Sequence, residues 1–309
     1  MAEAALPKRL APMLCTASEP FDDPAFLFEI KWDGVRALLF VDAPGSIRIH
    51  NRRGTRIDDR YPDLVSAARA LPAGIVLDGE IIVTDENGAP SFPRVLEREQ
   101  GRRGVALECL VRERPACFVA FDVLYAEYAP ELAHPLEARR QRLDSLPIGD
   151  AGQAMLVSEG IVGEGKRYFT DVTERGLEGV VAKRLASRYV PGKRSDDWRK
   201  IKASRTRACV VIGWLASGPS KNDLKSLLVA TDFEDGLGLR YVGKVGTGMS
   251  TEVRDELLAR LRELSRDAPL VHCDERGAQF VEPEIYVAVR YFEVSENGRL
   301  RGPVFEALL

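Results

Sequence analysis

Lysines and carboxylates, rather than cysteines or histidines, carry the chemistry legible in this chain. The segment Glu29-Ile-Lys31-Trp-Asp33-Gly34-Val-Arg36 closes an apolar run and sets an ammonium at a turn, with a carboxylate two residues on. A lysine acts as a nucleophile only after losing its proton, which requires desolvation or neighbouring positive charge. Read alone, the same segment is a surface hairpin turn, because Asp-Gly is a common hairpin dipeptide. Four further charged segments sit in or beside apolar runs: Leu77-Asp78-Gly79-Glu80, Ala120-Phe121-Asp122, Glu178-Gly179-Val-Val-Ala-Lys183 and Asp197-Trp198-Arg-Lys200-Ile-Lys202. Isolated charges are costly to bury, so charges inside core strands must pair or meet a ligand. Lys200 and Lys202, two apart, share one face of a strand. Two ammonium groups there suit a phosphate and help to strip the proton from Lys31.

The composition supports this choice. The 309 residues are 45% apolar and 29% charged, the balance of a soluble globular protein of about two domains. That balance excludes a disordered chain, and no run of about 18 apolar residues exists to span a membrane. Residues 1–10 lack the basic-then-apolar pattern of a secretory signal, which points to the cytoplasm. Cys15, Cys109, Cys117, Cys209 and Cys273 form no C-x-x-C pair, and His50, His134 and His272 lie far apart. Reduced thiols and no histidine-rich metal site are the reading. The net charge of −3 hides an asymmetry. Between residues 183 and 207, ten Lys or Arg stand against Asp196 and Asp197, an excess of +8 on a remainder of about −11. Such a run is either a solvated face or a phosphate-binding one.

The elements that must position these groups follow from periodicity and punctuation. Strands are predicted over 28–30, 36–41, 46–50, 75–83, 118–125 and 179–182, and helices over 62–71, 135–146 and 163–175. Pro62 and Pro135 fit a first helical turn. After residue 204 the texture changes to short strands over 209–215, 226–231 and 239–245. A helix over 250–266 follows, with Val253, Leu257, Leu258, Leu261 and Leu264 on one stripe, then strands over 279–281 and 286–293. That sequence suits a small barrel of OB type. The expected division is a first domain over 1–203 and a second over 204–309.

Taken in order, these segments resemble the nucleotidyltransferase motifs of ATP-dependent DNA ligases, a superfamily that includes RNA ligases and mRNA-capping enzymes. They are especially similar to the ligase module of bacterial ligase D, the end-joining type. Ala11-Pro-Met-Leu14, Phe21-Asp-Asp-Pro24, Arg52 to Gly54 with Tyr61-Pro-Asp-Leu64, and Pro90-Ser-Phe92 extend the likeness. So do Ser187-Arg-Tyr-Val-Pro-Gly-Lys-Arg-Ser-Asp-Asp-Trp198 and Tyr241-Val-Gly-Lys-Val-Gly-Thr-Gly248, so that it covers nearly the whole chain.

The resemblance implies an α+β fold: a nucleotidyltransferase (adenylation) domain of antiparallel sheets with helices, then an all-β OB-fold domain. It implies that Lys31 attacks the α-phosphate of ATP and becomes a lysyl–AMP phosphoramidate. Glu29 would lie against the adenine edge and Phe121 would stack on the ring. Arg36 and Arg52 would contact ribose or DNA phosphate, and Glu80 a ribose hydroxyl or the metal. Glu178 would coordinate Mg²⁺ or Mn²⁺, while Lys183, Lys200 and Lys202 hold the α-phosphate. Arg184, Arg188, Lys193 and Arg194, with Arg52, would line DNA. Phosphoryl transfer needs such converging lysines and oxygen ligands, and neither thiols nor imidazoles. The implied partners are nicked or broken duplex DNA and a Ku-type end-binding protein, met by a monomeric, nucleoid-associated cytoplasmic repair enzyme.

Each residue also has a plainer reading. Phe121 reads as core, Asp33 as a turn residue, Asp78 and Asp122 as structural, and Trp32 and Trp198 as packing. Two positions depart from the pattern. Arg53 stands where this ligase group has Asn before the glycine. Leu309 stands where the family's R-x-D-K motif begins, after Leu300-Arg-Gly-Pro-Val-Phe305. That motif helps orient the leaving pyrophosphate, so the expectation is a weakened self-adenylation, with sealing by already adenylated enzyme intact. The competing readings are an RNA ligase or GTP-dependent capping-type nucleotidyltransferase, and a ligase-derived DNA-binding protein impaired in self-adenylation.

Overall fold

A computed structural model describes residues 5–100, 104–217, 223–233, 236–295 and 297–309, the side chain of Glu293 excepted. The chain divides into two compact units, Met1–Lys202 and Ala203–Leu309.

The first unit is built on two sheets. Its strands are β1 (Leu14–Ala17), β2 (Asp23–Ile30), β3 (Val35–Ala43), β4 (Ser46–Asn51), β5 (Ile75–Val83) and β6 (Ala116–Ala126). They continue with β7 (Ala129–Pro130), β8 (Met155–Val157), β9 (Gly160–Gly163), β10 (Gly179–Arg184) and β11 (Arg194–Lys202). One sheet runs β1-β11-β10-β2-β9, the other β4-β3-β5-β6-β7 with β8 beside β6. Pairing is antiparallel except at β1–β11 and β6–β8.

Strand alternation sorts the side chains into layers. Ala37, Leu39 and Val41 of β3 enter a core with helix α1 (Pro62–Ala67), while Leu38 and Phe40 face the other sheet, where Trp198, Tyr189 and Phe121 lie. Phe26 and Phe28 of β2 pack outward against Val172 in a helix over Gly165–Glu174. Fully burying side chains of this size contributes roughly 1.5–3 kcal/mol each. Glu29, on the opposite face from Phe28, is thereby aimed between the sheets. The remaining helices are Phe92–Glu99, Val105–Glu113 and Leu136–Asp144.

The expected elements are present, with extended ends. The 28–30 run is the tail of an eight-residue strand, and 62–71 is an α-helix to Ala67 followed by a 3₁₀ turn over Ala68–Ala70. Strands β1 and β11 and the helices over Phe92–Glu99 and Val105–Glu113 add to them.

The second unit is mainly β. Strands β12 (Arg205–Ser217), β13 (Asp223–Asp232) and β14 (Leu239–Val245) form an antiparallel meander. β12 also pairs with strands Gln279–Val281 and Tyr286–Tyr291, and the latter with Val304–Leu308. The helix Thr251–Glu263 is capped by Ser250, whose hydroxyl accepts from the Val253 N–H, and it buries Leu257, Leu258 and Leu261. This β unit is consistent with the OB-fold. Among the described residues no helix is long and apolar enough to cross a membrane.

Candidate active site

Lys31 follows β2, and its backbone N–H donates to the Gly179 carbonyl at 2.9 Å. The register continues inward from there. Glu29 lies opposite Val181 on β10, and β10 sets Gly179 opposite Lys202, Val181 opposite Lys200 and Lys183 opposite Trp198 on β11. The period of two puts Glu29, Lys183, Trp198, Lys200 and Lys202 on one face. The opposing sheet supplies Arg36 and Glu80, a cross-strand pair on β3 and β5, and Phe121 on β6. A cleft of about 300 Å³ lies between, lined by all of these, by Lys31, Trp32, Arg52 and Arg194, and by residues 12–15. Two glycines permit the close approach. A Cβ on Gly34 would stand 2.1 Å from the Ile81 carbonyl oxygen. Gly179 has φ +141° and would meet the Ile201 oxygen at 2.1 Å.

At the outer end of the cleft, Glu178 bridges two ammonium groups: Lys31 donates to Oε2, and Lys202 pairs with Oε1 at 2.5 Å. Lys200 is held below the ordinary lysine range by desolvation and by Lys202 and Arg194. Arg36 makes a two-pronged pair with Asp78 at 2.6 Å for each bond, and Asp78 also accepts from the Tyr189 hydroxyl at 2.6 Å. Burial works against the charge of Arg36, but Asp78 outweighs it and the guanidinium pKa is raised. Desolvation pushes Glu80 up to about 8, against the opposing pull of Arg36 and Lys31.

At the inner end the charges are sealed in. Glu29 is 1% exposed; Lys183 pairs with its Oε2, and Arg140 donates to its Oε1 at 2.9 Å. Arg140 also donates to the carbonyls of Phe121 at 3.3 Å and Ser158 at 2.7 Å, and the Trp32 indole N–H donates to the Ser158 hydroxyl at 3.0 Å. The Phe121 ring centroid lies 4.1 Å from the Lys183 nitrogen and 4.4 Å from the Arg36 guanidinium carbon. Burial lowers the pKa of Lys183, with Glu29 opposing.

The structure thus brings together Lys31, Glu29, Arg36, Arg52, Glu80, Phe121, Lys183, Lys200 and Lys202, with Glu178 bonded to Lys31. Arg194, expected on DNA, lines the cleft and donates to the Cys15 carbonyl. Arg184 lies outside it, paired with Asp197 at 2.9 Å and 4.5 Å from the Phe26 centroid. Arg188 and Lys193 are exposed. The charges inside core strands are paired, as Asp78 is with Arg36 and Asp122 with Arg139, through two bonds of 2.8 Å. Arg140 is the functional residue that the sequence reading missed. Its signal lay one residue away, because Leu136, Arg139 and Leu143 hold one apolar helical stripe and an arginine on such a stripe has a buried partner. Among the described residues no cluster of three or more His, Cys, Asp or Glu could cage a metal. Glu80 and Glu178 nonetheless fit a hard cation that takes one or two carboxylates plus phosphate oxygens.

Two sheets enclosing a lysine, two glutamates and further lysines in one cleft make a site for covalent nucleotidyl transfer. Residues 10–202 match the family model for the ATP dependent DNA ligase domain, and residues 220–308 that for the ATP dependent DNA ligase C terminal region. The chain belongs to the ATP-dependent DNA ligase family. It is 33% identical to the multifunctional non-homologous end joining protein LigD of Mycolicibacterium smegmatis, over 98% of this chain and 39% of that protein. The ligase domain of M. tuberculosis LigD superposes with a TM-score of 0.57 at 32% identity, covering 97% of this chain and 95% of that one. A mycobacterial DNA ligase D complexed with ATP and MES matches with the same TM-score and coverage at 33% identity. The chain therefore spans about two-fifths of the length of its LigD relative.

Proposed function

We propose that this chain seals nicked or broken duplex DNA with ATP, through a covalent lysyl–AMP intermediate on Lys31. The observation that carries the reading is the Lys31–Glu178–Lys202 cluster, set in one cleft with Glu80, Arg36 and Phe121. Lys31 Nζ attacks the α-phosphorus; the N–P bond forms as the bond to the β-phosphate oxygen breaks, and pyrophosphate leaves. AMP then passes to the 5′-phosphate of DNA, which frees the lysine. The 3′-hydroxyl attacks that activated phosphorus, closing the strand and releasing AMP.

Glu178 orients the attacking nitrogen. Lys200 and Lys202 face the charge that develops on the α-phosphate, where preorganised donors act most strongly. Lys183 contributes from the inner end, because its ammonium is committed to Glu29. Glu29 and the Phe121 ring receive the base, and Arg140 fixes both. Glu80 and Glu178 would hold Mg²⁺ or Mn²⁺, which neutralises phosphate charge. Arg52, Arg188 and Lys193 extend toward the DNA backbone. A Ku-type end-binding partner and a nucleoid setting, with a monomeric enzyme, complete the proposal.

The test is incubation with ATP labelled at the α-phosphate. Wild type acquires label and seals a nicked DNA duplex, while Lys31→Ala stays unlabelled. Labelling that persists in Lys31→Ala would overturn the assignment. Equal labelling by GTP, or preference for a nicked RNA duplex, would shift the reading to the capping or RNA-ligase class.

A further inference from the structure

A second cavity, of about 480 Å³, lies in the N-terminal unit and is lined by Leu6, Lys8, Arg9, Asp42, Arg48, His50, Gly54 and Arg56. Its origin is the alternation of β4. Ile47 and Ile49 enter the core, so Arg48 and His50 face the opposite way. There they meet the chain over 6–9, anchored by the buried Leu6. Arg48 pins that segment by donating to the carbonyls of Lys8 at 3.0 Å and Pro7 at 3.3 Å, while its charge is taken by Asp42 at 2.5 and 2.7 Å. Arg56 is likewise committed to Asp58 at 2.6 Å. Lys8 and Arg9 differ: among the described residues neither has an acidic partner. Four cations thus converge on a cavity whose lining contains one carboxylate.

His50 supplies an independent observation. It is 5% exposed, its ring lies 5.0 Å from that of Phe40, and among the described residues its Nδ1 has no hydrogen-bond partner. A buried ring nitrogen without a partner costs about 1–3 kcal/mol, a cost that an oxygen entering the cavity would remove. Desolvation first, then the charges of Arg48, Arg56 and Arg9, hold its pKa below the ordinary imidazole value, with Asp58 opposing. The field at this nitrogen is therefore positive, and an anionic oxygen suits it. Arg9 also reaches the turn that follows β4, its Cδ 3.9 Å from where a Cβ on Gly54 would stand. That turn carries Arg52, which lines the nucleotide cleft. One short stretch of chain thus serves both cavities.

We propose that this second cavity is a phosphodiester site, in which Lys8, Arg9 and His50 take a backbone phosphate of a DNA strand passing beside the nucleotide cleft. The proposal rests on the ligase reading above and adds a second footing for the duplex. Contacts of this kind position the duplex without reading its sequence, which an enzyme sealing arbitrary ends requires.

The test measures binding of a nicked duplex to the full chain across a range of salt. In Lys8→Glu/Arg9→Glu the slope of log Kobs against log salt falls by about 2, since each phosphate contact contributes ~0.9. The charge-conserving Lys8→Arg/Arg9→Lys keeps the wild-type slope. In a second arm, on wild-type protein and so independent of how the variants fold, the His50 imidazole NMR signals shift on adding duplex. They stay in place with inorganic phosphate at the same phosphate concentration. A double-glutamate variant that keeps the wild-type slope overturns the site and leaves the ligase reading standing. Wild type that binds no duplex overturns both. An equal His50 shift with inorganic phosphate overturns the phosphodiester assignment in favour of a free-phosphate site.

Discussion

At the inner end of the nucleotide cleft Glu29 and Lys183 are 1% and 2% exposed, locked by Arg140 and the Phe121 ring. At the outer end the side chains of Lys31, Glu178 and Lys202 remain 22%, 19% and 29% exposed, sharing one carboxylate between two ammonium groups. The ion pairs look alike on paper, yet burial makes them different devices. Breaking a buried pair leaves an uncompensated charge and costs about 3–5 kcal/mol, so the inner end is fixed. Partly solvated pairs are worth about 1 kcal/mol or less, so the outer end exchanges partners readily. A group that must shed a proton and accept phosphate belongs at the second place, and a base-recognition surface at the first.

Substitutions at the two ends separate these roles. Lys202→Ala is expected to slow adenylate formation by about 10²–10³, the cost of one preorganised charge at a transition state, with little change in KM for ATP. Single-turnover labelling checks it, and a loss confined to KM would break the contrast. Arg140→Ala is expected to raise KM for ATP by about tenfold to a hundredfold, from losing charged hydrogen bonds of roughly 1.5–3 kcal/mol. Arg140→Lys should recover part of that loss. A fall in rate with KM unchanged would place Arg140 with the chemistry instead.

The smallest effect concerns pH. Glu80 ionises at 4.5 as a free side chain and at about 8 in the fold. Its raised pKa contributes stability that is complete below 4.5 and is lost as pH rises through about 8. Glu80→Gln escapes that loss, so its Tm advantage over wild type should widen across this window, by about 2–4 °C, and then level off. Thermal unfolding at a series of pH values checks it; a constant gap would mean Glu80 is already ionised in the fold.

Much of the outer end was legible because its groups interrupt apolar strands: Asp78 and Glu80 in β5, and the Glu178-Gly179 pair before β10. The expected OB-type unit was likewise marked by short runs with turn signals between them. The β11 strand was harder to see. Trp198, Lys200 and Lys202 turn into the cleft while Arg199 and Arg194 keep the segment polar, so neither face of the strand reads as simply apolar and the segment registers as a basic run. The inner end hid for another reason. Arg140 meets Glu29, 111 residues away, and helical periodicity does not encode a partner at that distance.

The Tyr189 hydroxyl accepts from the Met13 backbone N–H at 2.9 Å while donating to the carboxylate that grips Arg36. Mechanically, this makes the first residues of the chain a tether. Tension applied at the N-terminus reaches the guanidinium of Arg36 through three consecutive hydrogen bonds, so in a pulling experiment the nucleotide cleft lies directly on the load path.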